Sequence, residues 1–100
     1  RRDSAFYGTD LEIRLRALKI DTLVFTGVDT AICVESTLRD AFNIGYDVIL
    51  LSDATASRSK KFYDSTIEEV GGNFGLVMTS EDFFARLNKK GDQFSFDLPY

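Results

Sequence analysis

The chain lacks histidine and tryptophan altogether, and it has one cysteine and one proline in 100 residues. Without histidine, these residues cannot form a Cys-His or Ser-His pair or an imidazole metal site, so a catalytic base must be a carboxylate or a lysine. The single cysteine, Cys33, cannot form an internal disulfide. We therefore expect a reducing, cytoplasmic location, and we predict neither a metal nor a cofactor.

Basic clusters and long apolar runs are also missing. The net charge is -4 and basic residues occur in runs no longer than two, so the sequence offers no electrostatic footprint for nucleic acid. No apolar run approaches the roughly 18 residues that a membrane span needs. We expect neither a nucleic-acid nor a membrane partner. The hydrophobic content of 44% is sufficient for one packed domain.

The spacing of apolar residues predicts alternating helices and strands. The runs "TLVFTG" and "YDVILLSDA" are continuous and apolar, as in strands buried on both faces of a parallel sheet, and "GLVMTS" is a shorter third strand. Helices are predicted over residues 10–18, from Ile32 to a left-handed terminator at Gly45, from Ser59 to Gly71 and Gly72, and from an N-cap at Ser80 to Gly91.

This order of elements predicts an α/β fold of three layers, in which helices cover both faces of a parallel sheet. Residues 1–90 belong to the domain, and residues 91–100 are predicted to be a C-terminal tail. In the tail, Phe94 and Phe96 alternate with polar residues. That pattern fits either a docked edge strand or a contact with another subunit, and the residues leave both alternatives open.

Cys33 lies within "GVDTAICVEST", where the first predicted strand passes into the second helix. A lone cysteine is most often a packed and inert thiol. The position nevertheless favours a nucleophile, because a helix N-terminus lowers the pKa of a thiol and can bind a developing oxyanion. Ligand crevices of parallel sheets also lie beyond the carboxyl ends of strands. Both interpretations of Cys33 are compatible with the residues alone.

The stretch from Ser4 to Ser57 contains "GVDT", "CVEST", "RDAF" and "DATAS", and it resembles the C-terminal half of the isochorismatase-like cysteine hydrolases. The resemblance implies a six-stranded parallel sheet with helices on both faces, of which this chain holds the C-terminal half. It also implies that the N-terminal half of the same domain docks against the open edge of the sheet. A homo-oligomer is expected, as in other members of the family.

The resemblance assigns roles to individual residues. Cys33 corresponds to the catalytic nucleophile, and the backbone N–H groups of Asp29 and Cys33 correspond to the oxyanion hole, after a cis peptide bond between Val28 and Asp29. The implied substrate is a small carboxamide, carbamoyl or ureido compound, whose C–N bond is cleaved through a thioester. The catalytic aspartate and lysine of the family fall before Arg1 in this register. We therefore expect this chain alone to be inactive.

Four more residues are candidates for the substrate pocket. Phe6 and Tyr7 follow the position of the expected lysine and could be aromatic walls, although core packing explains them equally well. Asp53 and Ser57 follow the second predicted strand and either line the pocket or bond to local backbone. An alternative function, of a different class, is a non-catalytic family member that binds a ligand or oligomerises, with Cys33 as a packed thiol.

Overall fold

The computed structural model describes residues 4–90, and the predicted tail lies outside them. Within these residues the chain forms a three-stranded sheet, four α-helices and one turn of π-helix. The elements are α1 (Leu11–Ala17), β1 (Thr22–Val28), the π-turn (Thr30–Val34), α2 (Glu35–Ile44), β2 (Asp47–Ala56), α3 (Lys60–Asn73), β3 (Leu76–Met78) and α4 (Ser80–Lys90). This order agrees with the predicted alternation of helices and strands.

The strands are parallel and lie in the order β1-β2-β3. The middle strand, β2, is buried on both faces, because its apolar residues alternate between two hydrophobic clusters. Val48 and Leu50 pack with α2 and α3 in the first cluster, whereas Ile49 and Leu51 lie in the second cluster, on the α4 side. The predicted α/β fold, with helices on both faces of a parallel sheet, is confirmed.

The edge strand β1 differs from the prediction. Phe25 is buried in the first cluster, but Val24 is 40% and Val28 is 72% exposed. The prediction that β1 is buried on both faces is therefore wrong for the part of the chain that the structure describes. The reason is that α4 packs against the second cluster, on β2 and β3. An apolar run identifies a strand, but it does not reveal what covers each face.

The carboxylate of Glu35 fixes the start of α2 to α3. One carboxylate oxygen accepts a hydrogen bond from the hydroxyl of Thr66 at 2.6 Å, and the other accepts one from Nε of Arg39 at 2.8 Å. Arg39 also reaches Glu69 of α3 at 3.3 Å, and its guanidinium lies 4.8 Å from the ring centroid of Phe74. These contacts hold the π-turn, which directly precedes Glu35, against the rest of the fold.

The turn between α3 and β3 also differs from the prediction. The helix was expected to stop at Gly71 and Gly72, but both glycines lie within α3. The glycine that the turn requires is Gly75, which is buried against β2. A Cβ atom at Gly75 would lie only 2.2 Å from the carbonyl oxygen of Val48. The close approach of two backbones, rather than helix termination, therefore selects glycine here.

Candidate active site

Cys33 lies in the π-turn, directly beyond the carboxyl end of β1. The peptide bond between Val28 and Asp29 is cis, at the position that the resemblance implies. The carbonyl oxygen of Asp29 accepts hydrogen bonds from the N–H groups of Ile32 at 3.2 Å and Val34 at 3.1 Å. The second bond spans five residues and therefore makes the turn wider than an α-helical turn. The side chain of Cys33 is half-buried.

A shift in strand register brings the end of β2 across the end of β1. Phe25 pairs with Leu50 but Gly27 pairs with Thr55, so β2 advances five residues where β1 advances two. The hydroxyl of Thr55 donates to the carbonyl of Gly27 at 2.8 Å, and the hydroxyl of Thr30 lies 2.7 Å from that of Thr55. Because Thr55 has a single proton to give, Thr30 is the donor to Thr55. These bonds tie the start of the π-turn to both strands.

The two strand ends and the π-turn form an open cavity of about 580 Å³ beside Cys33. Protein sites for small molecules usually have volumes of about 300–1,000 Å³. Of the residues predicted from the sequence, the structure brings Cys33, Val28, Asp29 and Ser57 together around this cavity. The complete lining is Val28, Asp29, Ile32, Cys33, Ala56, Ser57 and Arg58.

The side chain of Asp29 links the two loops that border the cavity. Its carboxylate accepts hydrogen bonds from the Ser57 side chain, from the N–H of Ala31 at 3.1 Å and from the N–H of Arg58 at 3.3 Å. These bonds, with that from Ser57 as the largest cause, lower the pKa of Asp29 because they stabilise its charged form. Ser57 therefore lies in the lining of the cavity, and its side chain bonds to the carboxylate of Asp29 rather than to local backbone.

Asp53 does not line this cavity, contrary to its place among the pocket candidates. One of its carboxylate oxygens accepts hydrogen bonds from the backbone N–H and from the hydroxyl of Ser80, both at 2.8 Å. The N-cap of α4 is Thr79 rather than the predicted Ser80, because Thr79 Oγ1 accepts a hydrogen bond from the N–H of Asp82 at 3.2 Å. Asp53 thus joins β2 to the start of α4, where the helix dipole favours a negative charge.

Replacing Asp53 by asparagine should remove an acid-sensitive part of the stability. The bonds from Ser80, that from the backbone N–H first, lower the pKa of Asp53 from its ordinary value of 3.8. The contribution of the Asp53 carboxylate to stability is therefore present above that ordinary value, and it is lost as pH falls through the folded-state pKa of Asp53. We expect the urea midpoint of Asp53→Asn to lie below that of the parent chain at pH 7, and the two midpoints to converge as pH falls through the folded-state pKa of Asp53.

The matched control for Asp53→Asn is Asp64→Asn, which removes an exposed carboxylate that pairs with Lys60 at 2.8 Å. Exposed pairs contribute little to stability, so this control should shift the midpoint less at pH 7. A difference between Asp53→Asn and the parent that stayed constant from pH 7 to pH 3 would contradict the assigned role of the carboxylate.

Phe6 and Tyr7 also lie outside the lining of the cavity. Phe6 packs against the first hydrophobic cluster, and Tyr7 is 74% exposed. Core packing is therefore the alternative that holds for Phe6. The segment that carries both residues is nevertheless tied to the helix of the cysteine, because the hydroxyl of Thr37 accepts from the N–H of Ala5 at 3.0 Å and donates to the carbonyl of Cys33 at 2.8 Å.

Three residues of the cavity were not identified from the sequence: Ile32, Ala56 and Arg58. Ala56 and Arg58 flank Ser57, and they follow the same strand end that made Ser57 a candidate, so that signal could have found them. Ile32 directly precedes Cys33. Across residues 4–90, no group of three or more His, Cys, Asp or Glu side chains is arranged to hold a metal ion, and no helix has the length and apolar character to cross a membrane.

A parallel sheet with a cysteine turn beyond a strand end and a ligand-sized cavity beside it defines a class of α/β proteins with their site at the carboxyl edge of the sheet. The isochorismatase domain family matches residues 1–82. The chain belongs to the isochorismatase family.

Relatives of known sequence and structure are similar over most of this chain. An uncharacterised isochorismatase family protein of Bacillus subtilis, YwoC, is 39% identical over 87% of this chain and 46% of its own length. A ureidoacrylate amidohydrolase of Rhizobium rhizogenes, RutB, is 42% identical over 88% of this chain and 36% of its own length. The chain therefore spans less than half of these relatives.

Solved structures are likewise similar over most of this chain and over less than half of their own length. The crystal structure of an isochorismatase-like hydrolase from Alkaliphilus metalliredigens has a TM-score of 0.81 and 41% identity, and the match covers 85% of this chain and 47% of that protein. A nicotinamidase/pyrazinamidase of Bacillus subtilis, PncA, has a TM-score of 0.76 and 34% identity, with coverage of 79% and 43%. The relatives of this chain thus include hydrolases, among them a ureidoacrylate amidohydrolase and a nicotinamidase.

Proposed function

We propose that the protein containing this chain is a cysteine-dependent amidohydrolase, which cleaves a C–N bond of a small carboxamide, carbamoyl or ureido compound. The observation that carries this proposal is the position of Cys33, on a turn at the strand end, facing a cavity of small-molecule size. The amidohydrolases among the relatives support the reaction class.

In the proposed reaction, the thiolate of Cys33 attacks the carbonyl carbon of the substrate and a C–S bond forms. The backbone N–H groups of Asp29 and Cys33 donate to the oxyanion of the tetrahedral intermediate. The C–N bond then breaks, and the nitrogen takes a proton and leaves as ammonia or an amine. Water attacks the resulting thioester and the C–S bond breaks, so that the acid leaves as product and the thiol of Cys33 is regenerated.

The proton acceptor and the catalytic lysine are proposed to come from the N-terminal half of the domain. The carboxylate of Asp29, which borders the cavity, is engaged by loop donors. We propose that the N-terminal half packs on the edge strand β1, where Val24 and Val28 are exposed. The greater length of the relatives supports this arrangement. The contact of Ala5 with α2 also supports entry of the preceding chain on the Cys33 side.

The test is an ammonia-release assay on the full-length protein with a panel of small carboxamides, carbamoyl compounds and ureido compounds. We expect turnover of at least one of them, and loss of turnover when peptide mapping shows that iodoacetamide has modified Cys33. Residues 1–100 alone should be inactive in the same assay. Absence of hydrolysis with the whole panel would favour the non-catalytic alternative. Full activity after modification of Cys33 would instead assign hydrolysis to another nucleophile.

A further inference from the structure

The hydroxyl of Thr55 holds a short backbone segment at both of its ends. It donates to the carbonyl of Gly27 at 2.8 Å, and it lies 2.7 Å from the hydroxyl of Thr30. Thr30 is fully buried and Thr55 is 9% exposed, so both hydroxyls need partners within the protein. A large change in the orientation of the two residues between the bonded ends, Val28 and Asp29, would therefore break or stretch a bond to Thr55.

The polar groups of Asp29 itself are held as well. Its carbonyl oxygen accepts from the N–H groups of Ile32 and Val34, and its carboxylate accepts from backbone N–H groups of both loops beside the cavity. Together with the bonds of Thr55, these contacts restrict the peptide that carries the N–H of Asp29. That N–H is one of the two proposed donors to the oxyanion. Its direction thus depends on a side chain of the neighbouring strand.

The two hydroxyls form a chain with a fixed direction. The carbonyl of Gly27 can only accept, so the single proton of Thr55 goes to it and Thr30 donates to Thr55. Loss of the Thr55 hydroxyl would leave the proton of Thr30 without this acceptor and the carbonyl of Gly27 without this donor. Loss of the Thr30 hydroxyl would leave only an unused lone pair on Thr55. Because an unpaired buried donor is costly, the hydroxyl of Thr55 matters more than that of Thr30.

We propose that Thr55 is a positioning residue for the reaction, and that it places the N–H of Asp29 where the oxyanion forms. This inference rests on the proposed function and adds to it a residue outside the cavity: among the described residues, those that line the cavity include neither Thr30 nor Thr55. Thr55 therefore acts through the backbone and not by contact with the substrate. Donors to an oxyanion are effective within about 2.7–3.1 Å of it, so a small displacement of the segment lowers the rate.

The first experiment separates two reactions of Cys33 in the full-length protein. Amide hydrolysis passes through an oxyanion, whereas alkylation by iodoacetamide does not: a bond forms between Sγ and the CH₂ carbon, the C–I bond breaks, iodide leaves and the thiol proton passes to solvent. In Thr55→Val, which keeps the shape of the side chain, we expect kcat to fall about tenfold. KM and the alkylation rate constant should stay within about twofold. Thr55→Ser, which keeps the hydroxyl, should restore most of kcat.

Tyr63→Phe is the matched control for Thr55→Val. It removes a hydroxyl that donates to another carbonyl of β2, that of Ser52, and it should leave kcat within about twofold of the parent protein. The thermal transition of each variant shows whether it is folded. Parent-like kcat in folded Thr55→Val, or an equal loss of kcat in Tyr63→Phe, would overturn the proposal.

Thr30→Val tests the other end of the chain of hydroxyls. It should lower kcat only about threefold, and adding it to Thr55→Val should cause no further loss, since both bonds are already absent there. The double variant leaves neither threonine hydroxyl without an acceptor, so it replaces Thr55→Val if that variant does not fold. Parent-like kcat in the double variant, or single effects that multiply in it, would contradict the positioning role.

A second experiment distinguishes this inference from the proposed function. Propanal and benzaldehyde are tested for protection of Cys33 against iodoacetamide in the full-length protein. On binding, Sγ bonds to the aldehyde carbon and the carbonyl oxygen takes the thiol proton, so the adduct places an oxygen where the oxyanion would form. We expect the half-protecting concentration to rise about tenfold in Thr55→Val and to change less than about twofold in Tyr63→Phe.

The outcomes of the two experiments separate the two proposals. Hydrolysis of an amide, with parent-like kcat and aldehyde affinity in Thr55→Val, would remove the role of Thr55 and leave the amidohydrolase intact. Aldehyde binding that depends on Thr55, without hydrolysis of any amide, would remove the proposed reaction and leave a positioned oxyanion site at Cys33. A parent protein that neither hydrolyses an amide nor binds an aldehyde would overturn both.

Discussion

Cys33→Ser is expected to lower amide hydrolysis by the full-length protein at least about a thousandfold. A serine hydroxyl occupies the same place, but the attacking species of a cysteine hydrolase is a thiolate, and a hydroxyl gives no comparable anion near neutral pH. The fold should survive, because the hydrogen bonds that shape the π-turn are accepted by the backbone carbonyl of Asp29. The measurement is kcat with the best amide of the panel, together with the thermal transition of each variant.

Ser36→Ala is the control for Cys33→Ser. It removes a hydroxyl from the first turn of α2, and Ser36 is not part of the cavity lining, so hydrolysis should stay close to that of the parent protein. Mass spectrometry of the parent protein under turnover should detect an acyl group on Cys33, which the serine variant should not accumulate as a thioester. Turnover of Cys33→Ser within a few-fold of the parent would assign hydrolysis to another nucleophile.

Gly75→Ala is expected to destabilise the chain by about 3 kcal/mol or more. The new Cβ would lie 2.2 Å from the carbonyl oxygen and 2.6 Å from Cγ2 of Val48. A side chain can rotate away from an intruding methyl group, but a backbone carbonyl in the central strand cannot move without breaking its ladder. The measurement is the free energy of unfolding from urea titration followed by circular dichroism.

Gly72→Ala is the matched control for this prediction, because it adds the same methyl group three residues earlier in the chain. No atom lies within 4 Å of a Cβ built at Gly72, which is inside α3. Alanine there should stabilise the helix by roughly 0.5–1 kcal/mol. If both variants changed stability to the same extent, the close approach of Gly75 to β2 would not hold in solution.

The contrast between these glycines shows how far the sequence could predict the fold. Apolar periodicity was sufficient for the order of helices and strands, because β2 alternates its side chains between two clusters and each helix packs apolar residues against one of them. It could not identify Gly75 as the critical glycine, since that depends on the distance between two segments far apart in sequence. It also could not show that Val24 is exposed, because exposure depends on what covers the sheet.

Some features of the candidate site could likewise be predicted from the sequence, and others could not. Residues within the "GVDT", "CVEST" and "DATAS" motifs were predicted as site residues from the sequence, and the structure brings Asp29, Cys33 and Ser57 around one cavity. Asp53 lies in β2, as Ala56 of the cavity does, but it bonds to Ser80. The direction in which a side chain leaves a shifted strand depends on its register, which the sequence does not give. Arg58 was missed although it directly follows Ser57, after the same predicted strand end.

The exposed edge of β1 has a consequence for the solubility of residues 1–100. Its sequence, "TLVFTGV", contains no charge and no proline, and in the part of the chain that the structure describes it pairs only with β2. Such an edge presents a row of backbone donors and acceptors that can pair with the same strand of another molecule. The isolated chain therefore carries its own site for intermolecular strand addition and aggregation, and covering β1 would remove that hazard.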